Sequence, residues 1–348
     1  MELKANQYFN NRYMLIQCMG EGASAQVWKA IDLQANNLPV ALKIFSATGV
    51  MDTAGIQNFK HEFTSVFNLN HTNLLTPSSY DIFEGNPYLV MPFCEKGSTA
   101  SYIGNVDEVT LLKILHDVAA GLAYLHENKV VHQDIKPDNI LISHSGDYLI
   151  SDFGISAATN VDDSVVSGFC GTKAYMGPER FNGMPAVFAS DIWSLGATIY
   201  ELIVGDLPFC GQGGTMLRSG AEMPDLPEGF SRELNMVMQS CLALETWDRP
   251  TAEQLADYAR KKIKGESPQP TWKVPVEEKK TTAQAKPERV QSPTQKFHPT
   301  TPQKENKPNE NRPKKQIKKK SNEWVSWVVL IVAALAVGGF AAWLITMK

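Results

Sequence analysis

The stretch "VVHQDIKPDNILI", residues 130–142, places two carboxylates, an ammonium and an amide between two apolar runs. Asp134 is followed by Lys136 after two residues and by Asn139 after five. A carboxylate in a short loop can accept a proton from a hydroxyl, and a nearby ammonium can neutralise charge on a transferring group. An amide oxygen such as that of Asn139 can bind a metal ion. The spacing therefore favours a loop that handles protons and charge.

A further carboxylate follows in "ISDFG", where Asp152 comes thirteen residues after Asn139 and directly after another apolar run. The segments "NILI" and "DYLI" between them predict a β-hairpin, which would bring Asn139 and Asp152 together. Such a pair suits Mg²⁺ held together with phosphate oxygens. Polar loop residues after strands are common one by one, but the joint arrangement has no comparable structural explanation.

Two features near the N-terminus point to the same chemistry. Gly20 and Gly22 lie on a turn between two strand-like runs, where glycine lets the backbone approach an anion closely. Sixteen residues beyond Val27, Lys43 lies in the apolar strand "PVALK" and needs a charge partner. Glu62, on the amphipathic helix that follows, can supply it. A hairpin without a ligand and a solvated edge-strand lysine remain the alternatives at this point.

The periodicity predicts an α+β fold with a small β-rich lobe before a larger helical lobe, within residues 8–263. The predicted strands are "YMLIQCMG", "AQVWKAIDL", "PVALKIF" and "YLVMPF". The predicted helices are "GIQNFKHEFTSVFNL", "VTLLKILHDVAAGLAYLHE" and "DIWSLGATIYELIVG". Five scattered cysteines without a CxxC pair make a poor disulfide or zinc framework and suit a reducing compartment.

Charge divides the chain into modules. Residues 1–263 carry 17 Lys and Arg against 30 Asp and Glu, whereas residues 264–323 carry 15 against 7. The second region is rich in Pro, Lys, Gln and Thr and almost free of aliphatic side chains. It cannot bury enough apolar surface to offset the entropy of ordering, so we predict a disordered linker over 264–323.

The C-terminal segment 324–347 contains 24 residues without a charge, which predicts one transmembrane helix rather than a buried core helix. The basic run "RPKKQIKKK" before it favours a cytoplasmic soluble domain and suits anionic headgroups as well. No cleavable secretory signal is recognisable at the N-terminus. Ala334, Gly338 and Ala342 form a small-residue stripe through which two helices could pair as a homodimer. We expect a lipid bilayer, and not nucleic acid, as a partner.

Over about residues 12–262 the sequence resembles the eukaryotic-type (Hanks-type) serine/threonine protein kinase family, in particular bacterial single-pass membrane-anchored members. The resemblance rests on motifs that occur in the family's order: the Gly-rich loop at 20–25, "VALK", Glu62, "HQDIKPDN", "DFG", "GTKAYMGPE", "DIWSLG" and Arg249 in "WDRP". It implies a bilobal fold, ATP as phosphate donor, Mg²⁺ with Mn²⁺ as a substitute, and protein Ser or Thr hydroxyls as acceptors.

The resemblance also implies roles for individual residues. Catalysis is expected to involve Asp134, Lys136, Lys43 and Glu62, and the metal is expected on Asn139 and Asp152. The expected nucleotide contacts are Met19, Gly20, Gly22, Val27, Ala41, Lys43, Met91, Cys94 and Leu141. Met91 corresponds to the gatekeeper, and residues 92–94 to the adenine-contacting hinge. Glu179 and Arg249 correspond to a bracing ion pair, and Asp191 to a support of the catalytic loop.

The sequence departs from the family pattern in its regulatory residues. Gln133 stands where many relatives carry an Arg that pairs with a phosphate on the activation segment. Gly168 stands where many carry the phosphorylated Thr, with Ser167 one place away. We therefore expect activity that does not depend on phosphate docking beside Asp134. Ala25 replaces the third glycine of the loop, and Gly177 replaces the Ala of "APE" without a functional explanation from the sequence.

Two other functions remain open from the sequence. A catalytically inactive, kinase-like scaffold could recruit partners to a membrane, but it would need none of the candidate catalytic residues. A small-molecule phosphotransferase could share the Asp-x-x-x-x-Asn loop. The "GPE", "DIWSLG" and "RP" elements, which shape a peptide-binding segment in the family, favour protein substrates instead.

Overall fold

The computed structural model describes residues 2–22, 25–45, 67–152 and 173–274. All of these residues belong to one compact unit of the chain. Residues 55–66 of the predicted helix that carries Glu62, the segment 153–172 and the predicted membrane helix at 324–347 lie outside the described residues. Within the described part of the chain, no helix has both the length and the apolar character needed to cross a membrane.

The N-terminal lobe is a six-stranded antiparallel sheet with the strand order β1-β2-β3-β4-β6-β5. The strands are β1 Tyr8–Phe9, β2 Tyr13–Glu21, β3 Ala25–Asp32, β4 Leu38–Phe45, β5 Ser79–Phe83 and β6 Asn86–Pro92. All four strands predicted from the sequence are present with similar bounds. The short β1 and the strand β5 complete the sheet at its two edges.

Strand β4 separates the core of this lobe from the candidate site because successive side chains point to opposite faces. Val40, Leu42 and Ile44 are buried in the apolar core of the sheet. Ala41 and Lys43 alternate with them and therefore face the other way. The same alternation that forms the core thus delivers Lys43 to the side where the second lobe lies.

The second lobe is mainly helical. Its helices are α1 Glu108–Glu127, α2 Phe188–Val204, α3 Thr215–Arg218, α4 Arg232–Cys241 and α5 Ala252–Ile263. A hairpin of β7 Ile140–Ile142 and β8 Tyr148–Ile150 packs beside α1. The long amphipathic helix and the hairpin were both predicted. Helix α2 begins three residues before the predicted "DIWSLG" run, and the hydroxyl of Ser190 accepts a hydrogen bond of 3.1 Å from the N–H of Val187 at its first turn.

The chain does not leave the helical lobe at residue 264, where the linker was predicted to begin. The indole of Trp272 packs edge-on against Tyr258 with ring centroids 5.7 Å apart, and Lys273 forms an ion pair with Asp248 at 2.8 Å. A single large aromatic side chain supplies apolar area that the average composition of the segment conceals. The remainder of the predicted linker, from residue 275, lies outside the described residues.

Candidate active site

The loop within residues 130–142 is anchored by one buried carboxylate. Asp191 near the start of α2 has no exposed surface. Its Oδ2 accepts a hydrogen bond of 2.9 Å from the backbone N–H of His132, and its Oδ1 accepts one of 2.8 Å from that of Gln133. Gln133 has a φ of 72°, in the left-handed region that non-glycine residues rarely adopt. The two bonds thus hold the residue before Asp134 in a strained conformation.

Asp134, Lys136 and Asn139 converge as the sequence spacing predicted. The Nζ of Lys136 lies 2.7 Å from Oδ2 of Asp134. The amide nitrogen of Asn139 donates to that same oxygen at 2.9 Å and to the backbone carbonyl of Asp134 at 2.7 Å. Two donors therefore fix the orientation of the Asp134 side chain.

The β7–β8 hairpin brings Asn139 and Asp152 to one place, as predicted. The backbone N–H and the hydroxyl of Ser151 donate to the backbone carbonyl of Asn139 at 2.8 Å and 3.1 Å. The ring nitrogen Nε2 of His132 lies 2.8 Å from the backbone oxygen of Ser151. Asp152 follows with a φ of 62°, which turns the chain sharply beside Asn139. His132 is a positioning contact that sequence reasoning did not assign.

Lys43 connects the two lobes. Its Nζ forms an ion pair of 2.7 Å with Oδ1 of Asp152, and only 15% of the lysine side chain is exposed. The charge partner that the sequence analysis expected was Glu62, which lies outside the described residues. Within them, the sheet lobe and the helical lobe therefore meet through Lys43 and Asp152, the two candidate phosphate-side residues.

Beside this ion pair lies an apolar cluster formed by residues of both lobes. Ala41 and Met91 are cross-strand partners on β4 and β6 and are buried, together with Leu75. The surrounding side chains are Phe93, Cys94, Leu141 and Leu149. Burial raises the pKa of the Cys94 thiol, which keeps it neutral and apolar in character. An apolar surface of this kind suits a planar heteroaromatic ring.

The remaining predicted nucleotide contacts lie on the glycine-rich hairpin. Gly20 pairs with Val27, and Val27 pairs in turn with Lys43, so the three form a row across β2, β3 and β4. The N–H of Gly22 donates to the carbonyl of Ala25 at 2.9 Å and closes the turn. Met19 is 53% exposed and is not part of the apolar pocket. Residues 23–24 at the tip lie outside the described residues.

Two pocket residues were missed by sequence reasoning. Leu75 lies in the connection after residue 67, where no strand or helix pattern marks it. Its N–H donates to the carbonyl of Ile150 at 2.8 Å, which ties it to β8. Leu149 belongs to the predicted hairpin, but only the register Leu141–Leu149 shows that it shares a face with a pocket residue. Both residues are placed by contacts between segments that are distant in the sequence or by strand register, and neither leaves a motif in the sequence.

The predicted ion pair of Glu179 with Arg249 is present and buried. The guanidinium donates twice, at 2.8 Å and 3.1 Å, to the two carboxylate oxygens, and Ser190 donates a third bond at 2.8 Å. The guanidinium also lies 5.0 Å from the ring centroid of Trp193. Burial is the largest single influence and raises the pKa of Glu179, but the hydrogen bonds and charge of Arg249, with further bonds from Ser190 and a backbone N–H, together lower it by more. The pKa therefore lies below its ordinary value.

The structure supplies the explanation for Gly177 that the sequence lacked. A Cβ at this position would lie 2.6 Å from both carboxylate oxygens of Glu179, a distance that real contacts do not reach. The same segment is backed by Gly214, where a Cβ would lie 2.2 Å from the nitrogen of Pro178. Glycine at both positions lets the "GPE" segment pack closely against the helical lobe.

The donor atoms beside Asp134 fit a small oxygen-seeking cation. The amide nitrogen of Asn139 is engaged by Asp134, which leaves its amide oxygen as the atom available to a metal ion. Lys43 contacts Oδ1 of Asp152, so Oδ2 is the carboxylate oxygen available to a metal ion. The described residues contain no cluster of three or more His, Cys, Asp or Glu side chains that could hold a metal alone. One carboxylate, one amide oxygen and phosphate oxygens are a typical Mg²⁺ set.

Comparison with known proteins agrees with this geometry. The family model "Protein kinase domain" matches residues 13–259. The serine/threonine-protein kinase PrkC of Bacillus subtilis (strain 168) is 34% identical over 209 residues, which cover 58% of this chain and 32% of that protein. Mitogen-activated protein kinase kinase 7 of Arabidopsis thaliana is 32% identical over 258 residues, which cover 70% of this chain and 82% of that protein. The chain belongs to the protein kinase family.

The chain spans about a third to a half of several bacterial relatives. The matched region covers 34% of the probable serine/threonine-protein kinase PknB of Lactococcus lactis subsp. lactis (strain IL1403), at 28% identity and over 60% of this chain. It covers 55% of the serine/threonine-protein kinase PknL of Mycobacterium tuberculosis (strain ATCC 25618 / H37Rv), at 31% identity and over 62% of this chain. The common part is thus the kinase domain.

Replacing Asp191 with Asn should destabilise the loop that it anchors. An amide has only one accepting oxygen, so one of the two N–H groups at His132 and Gln133 faces an NH₂ group and loses its bond. We expect a loss of about 2–3 kcal/mol in the free energy of unfolding, as for a buried hydrogen bond to a charged group. Denaturant unfolding and amide hydrogen exchange at Gln133 measure it.

The matched control for this substitution is Asp206→Asn, at an exposed position just beyond the end of the same helix. It should change the free energy of unfolding by less than about 0.5 kcal/mol. Equal stability of the Asp191 and Asp206 variants, with unchanged exchange at Gln133, would contradict the anchoring role.

The Glu179–Arg249 pair predicts a pH-dependent stability difference between wild type and Glu179→Gln. The carboxyl pKa is lower in the folded chain than in the unfolded chain, so its contribution is complete above the unfolded value and is lost as pH falls through the folded value. At neutral pH the variant should lose about 3–5 kcal/mol, as for one partner of a buried pair. Unfolding at pH values from 7 down to 3 should show the difference shrinking below about pH 4.5.

The control is Glu228→Gln, an exposed glutamate of the same lobe. Its free energy of unfolding should differ little from that of the wild type at every pH. A Glu179→Gln difference that stays constant between pH 7 and 3 would exclude a carboxylate that is ionised and paired in the folded state.

Proposed function

We propose that the protein is a serine/threonine protein kinase that transfers the γ-phosphate of ATP to hydroxyl groups of proteins. The observation that carries the proposal is the convergence of Lys43 from the sheet lobe with Asp152, beside the loop of Asp134 and Asn139. An apolar cluster suited to a base lies next to this ion pair. The relatives named as serine/threonine-protein kinases support hydroxyl groups of Ser and Thr as acceptors.

In the proposed reaction the hydroxyl oxygen of the substrate forms a bond to the γ-phosphorus, and the bond to the β-phosphate oxygen breaks, so ADP leaves. Asp134 orients the hydroxyl and accepts its proton. Lys136, 2.7 Å from Asp134, neutralises charge on the phosphoryl group as it passes between the two oxygens. Little covalent chemistry is required of the protein, so positioning and electrostatics account for most of the rate.

Lys43, Asn139 and Asp152 hold the phosphate side of the donor. Lys43 is placed to exchange Asp152 for phosphate oxygens or to contact both. Asn139 and Asp152 would hold Mg²⁺, with Mn²⁺ as a substitute, and the bound cation would offset the negative charge of the phosphates. Ala41, Met91, Cys94 and Leu141 supply the apolar walls for the adenine.

We infer that activity does not require a phosphate on the activation segment. Gln133 has no charge with which to bind such a phosphate. Its backbone, however, is held by Asp191 within the protein itself. The strained loop conformation thus has an internal support in the described structure, and this supports a loop that is assembled without a phosphate.

We also propose that the domain is tethered to a membrane by residues 324–347, with the kinase domain on the cytoplasmic side. The support is the sequence alone: an uncharged run long enough to span a bilayer, preceded by six basic residues within 312–320. Pairing of two such helices through their small residues would give a homodimer. Both statements concern residues outside the described structure.

The competing function is an inactive membrane scaffold. Such a scaffold has no need of the hydrogen bonds that orient Asp134 or of the half-buried Lys43, and both cost free energy to maintain. The second alternative, a small-molecule phosphotransferase, does not need the Glu179–Arg249 brace behind the "GPE" segment. Phosphoryl transfer to protein substrates is expected only of the protein kinase, so measuring it distinguishes the three functions.

Substitution of Asp134 by Asn should reduce phosphoryl transfer by roughly 10²–10⁴-fold, because the proton acceptor is lost while the shape is kept. The assay follows transfer of labelled γ-phosphate from ATP to a mixture of protein substrates, with Mg²⁺ present and after its removal by a chelator. Asp147→Asn, on the hairpin turn beyond the same loop, is the control and should retain wild-type activity. Equal rates for Asp134→Asn and wild type would exclude the proposed role.

Replacement of Thr159, Ser164 and Ser167 together by Ala tests independence from activation-segment phosphate. We expect the variant to keep at least about a third of the wild-type rate, since no arginine at 133 reads the phosphate. Initial rates with protein treated beforehand with a phosphatase give the same information without substitution. Activity that falls to the level of Asp134→Asn would contradict the expectation.

A further inference from the structure

Two helices of the helical lobe leave an open groove because small side chains line the space between them. Ala120 and Ala123 lie on one face of α1, and Ala252 and Ala256 lie on one face of α5. With the start of α2 and the turn before α5, they border a cavity of about 890 Å³, which we call the α1–α5 groove. The groove shares no residue with the apolar cluster around Ala41 and has no part in the proposed reaction.

Large apolar side chains form the walls of the α1–α5 groove and remain open to solvent. Trp247 is 78% exposed, and Phe188 at the start of α2 is 39% exposed. Val187, next to Phe188, and Leu244, three residues before Trp247, are exposed as well. Large apolar side chains that are grouped around a concave surface and left exposed indicate a site where another molecule binds.

The charges that line the groove favour a basic partner. Glu127 at the end of α1 and Glu253 in the first turn of α5 are exposed, and neither forms an ion pair within the described residues. Arg249 also lines the groove, but its guanidinium is buried and paired with Glu179. Burial lowers the pKa of His71, which opposes a positive charge on this ring. Among the described lining residues, the two charges left without a partner are therefore both negative.

The backbone around the groove favours a helical partner. Helices α1 and α5 use their own N–H and C=O groups within each helix. No strand edge lines the groove in the part of the chain that the structure describes, so an extended peptide would find no backbone partners there. A helical segment satisfies its backbone groups internally and presents apolar side chains three or four residues apart on one face.

The groove adjoins the anchor of the catalytic loop. His126 lines the groove and stacks on Phe188, with ring centroids 4.6 Å apart. The Nε2 of His126 lies 2.8 Å from Oδ2 of Asp191, the oxygen that also accepts the N–H of His132. A partner bound at Phe188 is therefore linked through His126 to the residue that anchors the loop.

We propose that the α1–α5 groove is a docking site for a basic, amphipathic helical segment of a partner protein. Apolar side chains of the segment pack between Trp247 and Phe188 over the alanines, and its Lys or Arg side chains pair with Glu127 and Glu253. Residues 1–263 carry 17 Lys and Arg against 30 Asp and Glu, and this net negative charge adds long-range attraction for the same partner. The docking does not depend on the proposed phosphoryl transfer.

The test uses a designed peptide as the probe, acetyl-AKLAAKLAAKFAAKA-amide, in which an apolar side chain recurs every fourth residue. One matched peptide replaces every Lys by Glu, and another replaces Leu and Phe by Ser. Circular dichroism measures the helix content of each peptide, and fluorescence anisotropy measures its binding to the purified full chain. We expect the dissociation constant of each matched peptide to be at least about ten times that of the first peptide.

Variants of the chain test whether the first peptide binds in the groove. Trp247→Ser removes one wall and Glu253→Lys reverses one charge, and each should weaken binding at least about fivefold. The matched controls are Val109→Ser, at a side chain that is also 78% exposed, and Glu228→Lys, at an exposed glutamate that does not line the groove. Both controls should bind the peptide within about twofold of wild type. All four variants should keep the wild-type unfolding midpoint, because the replaced side chains are exposed.

Any of three results would overturn the proposal. The first peptide could show no binding up to about 1 mM, or could bind no better than the two matched peptides. Glu228→Lys could weaken binding as much as Glu253→Lys, which would show attraction to the acidic domain as a whole. Sedimentation of the chain without peptide could show self-association that Trp247→Ser abolishes, which would assign the groove to a second copy of the chain.

Discussion

The architecture of the site depends on the buried carboxylate of Asp191. It accepts the N–H groups of His132 and Gln133 and contacts His126, all without exposure to water. A charge in this position is tolerated only because every oxygen is hydrogen-bonded. The carboxylate of Asp191 holds the left-handed backbone at Gln133. This conformation positions the next residue, Asp134, beside Asn139.

From this anchor the remaining groups follow in sequence. The loop presents Asp134 to Lys136 and Asn139, and the hairpin after it returns to place Asp152 beside Asn139. Lys43 then reaches across from β4 to Asp152. The Glu179–Arg249 pair fixes the "GPE" segment against α2, so this segment is held by the same lobe that holds the loop. Membership of the protein kinase family is consistent with each of these contacts.

Much of this arrangement could be predicted from the sequence because it is local or follows from alternation. The position of Lys43 follows from the two-residue period of β4, and the meeting of Asn139 with Asp152 follows from the hairpin between them. Leu75 could not be predicted, since only a backbone bond to Ile150 brings it to the pocket. The reason for Gly177 was likewise hidden, because it is a close approach to Glu179. Trp272 escaped notice because average composition conceals one well-packed indole.

The proposed function requires Lys43 to lie at the phosphates of bound ATP, and a reactive nucleotide can test this position. An ATP whose γ-phosphate carries an acyl group transfers that group to an amine within reach, and mass spectrometry identifies the lysine. We expect acylation of Lys43, and excess Mg²⁺–ATP should suppress it. Lys29, two residues from Val27 on β3, should be acylated only weakly. Labelling that omits Lys43, or that excess nucleotide does not reduce, would contradict it.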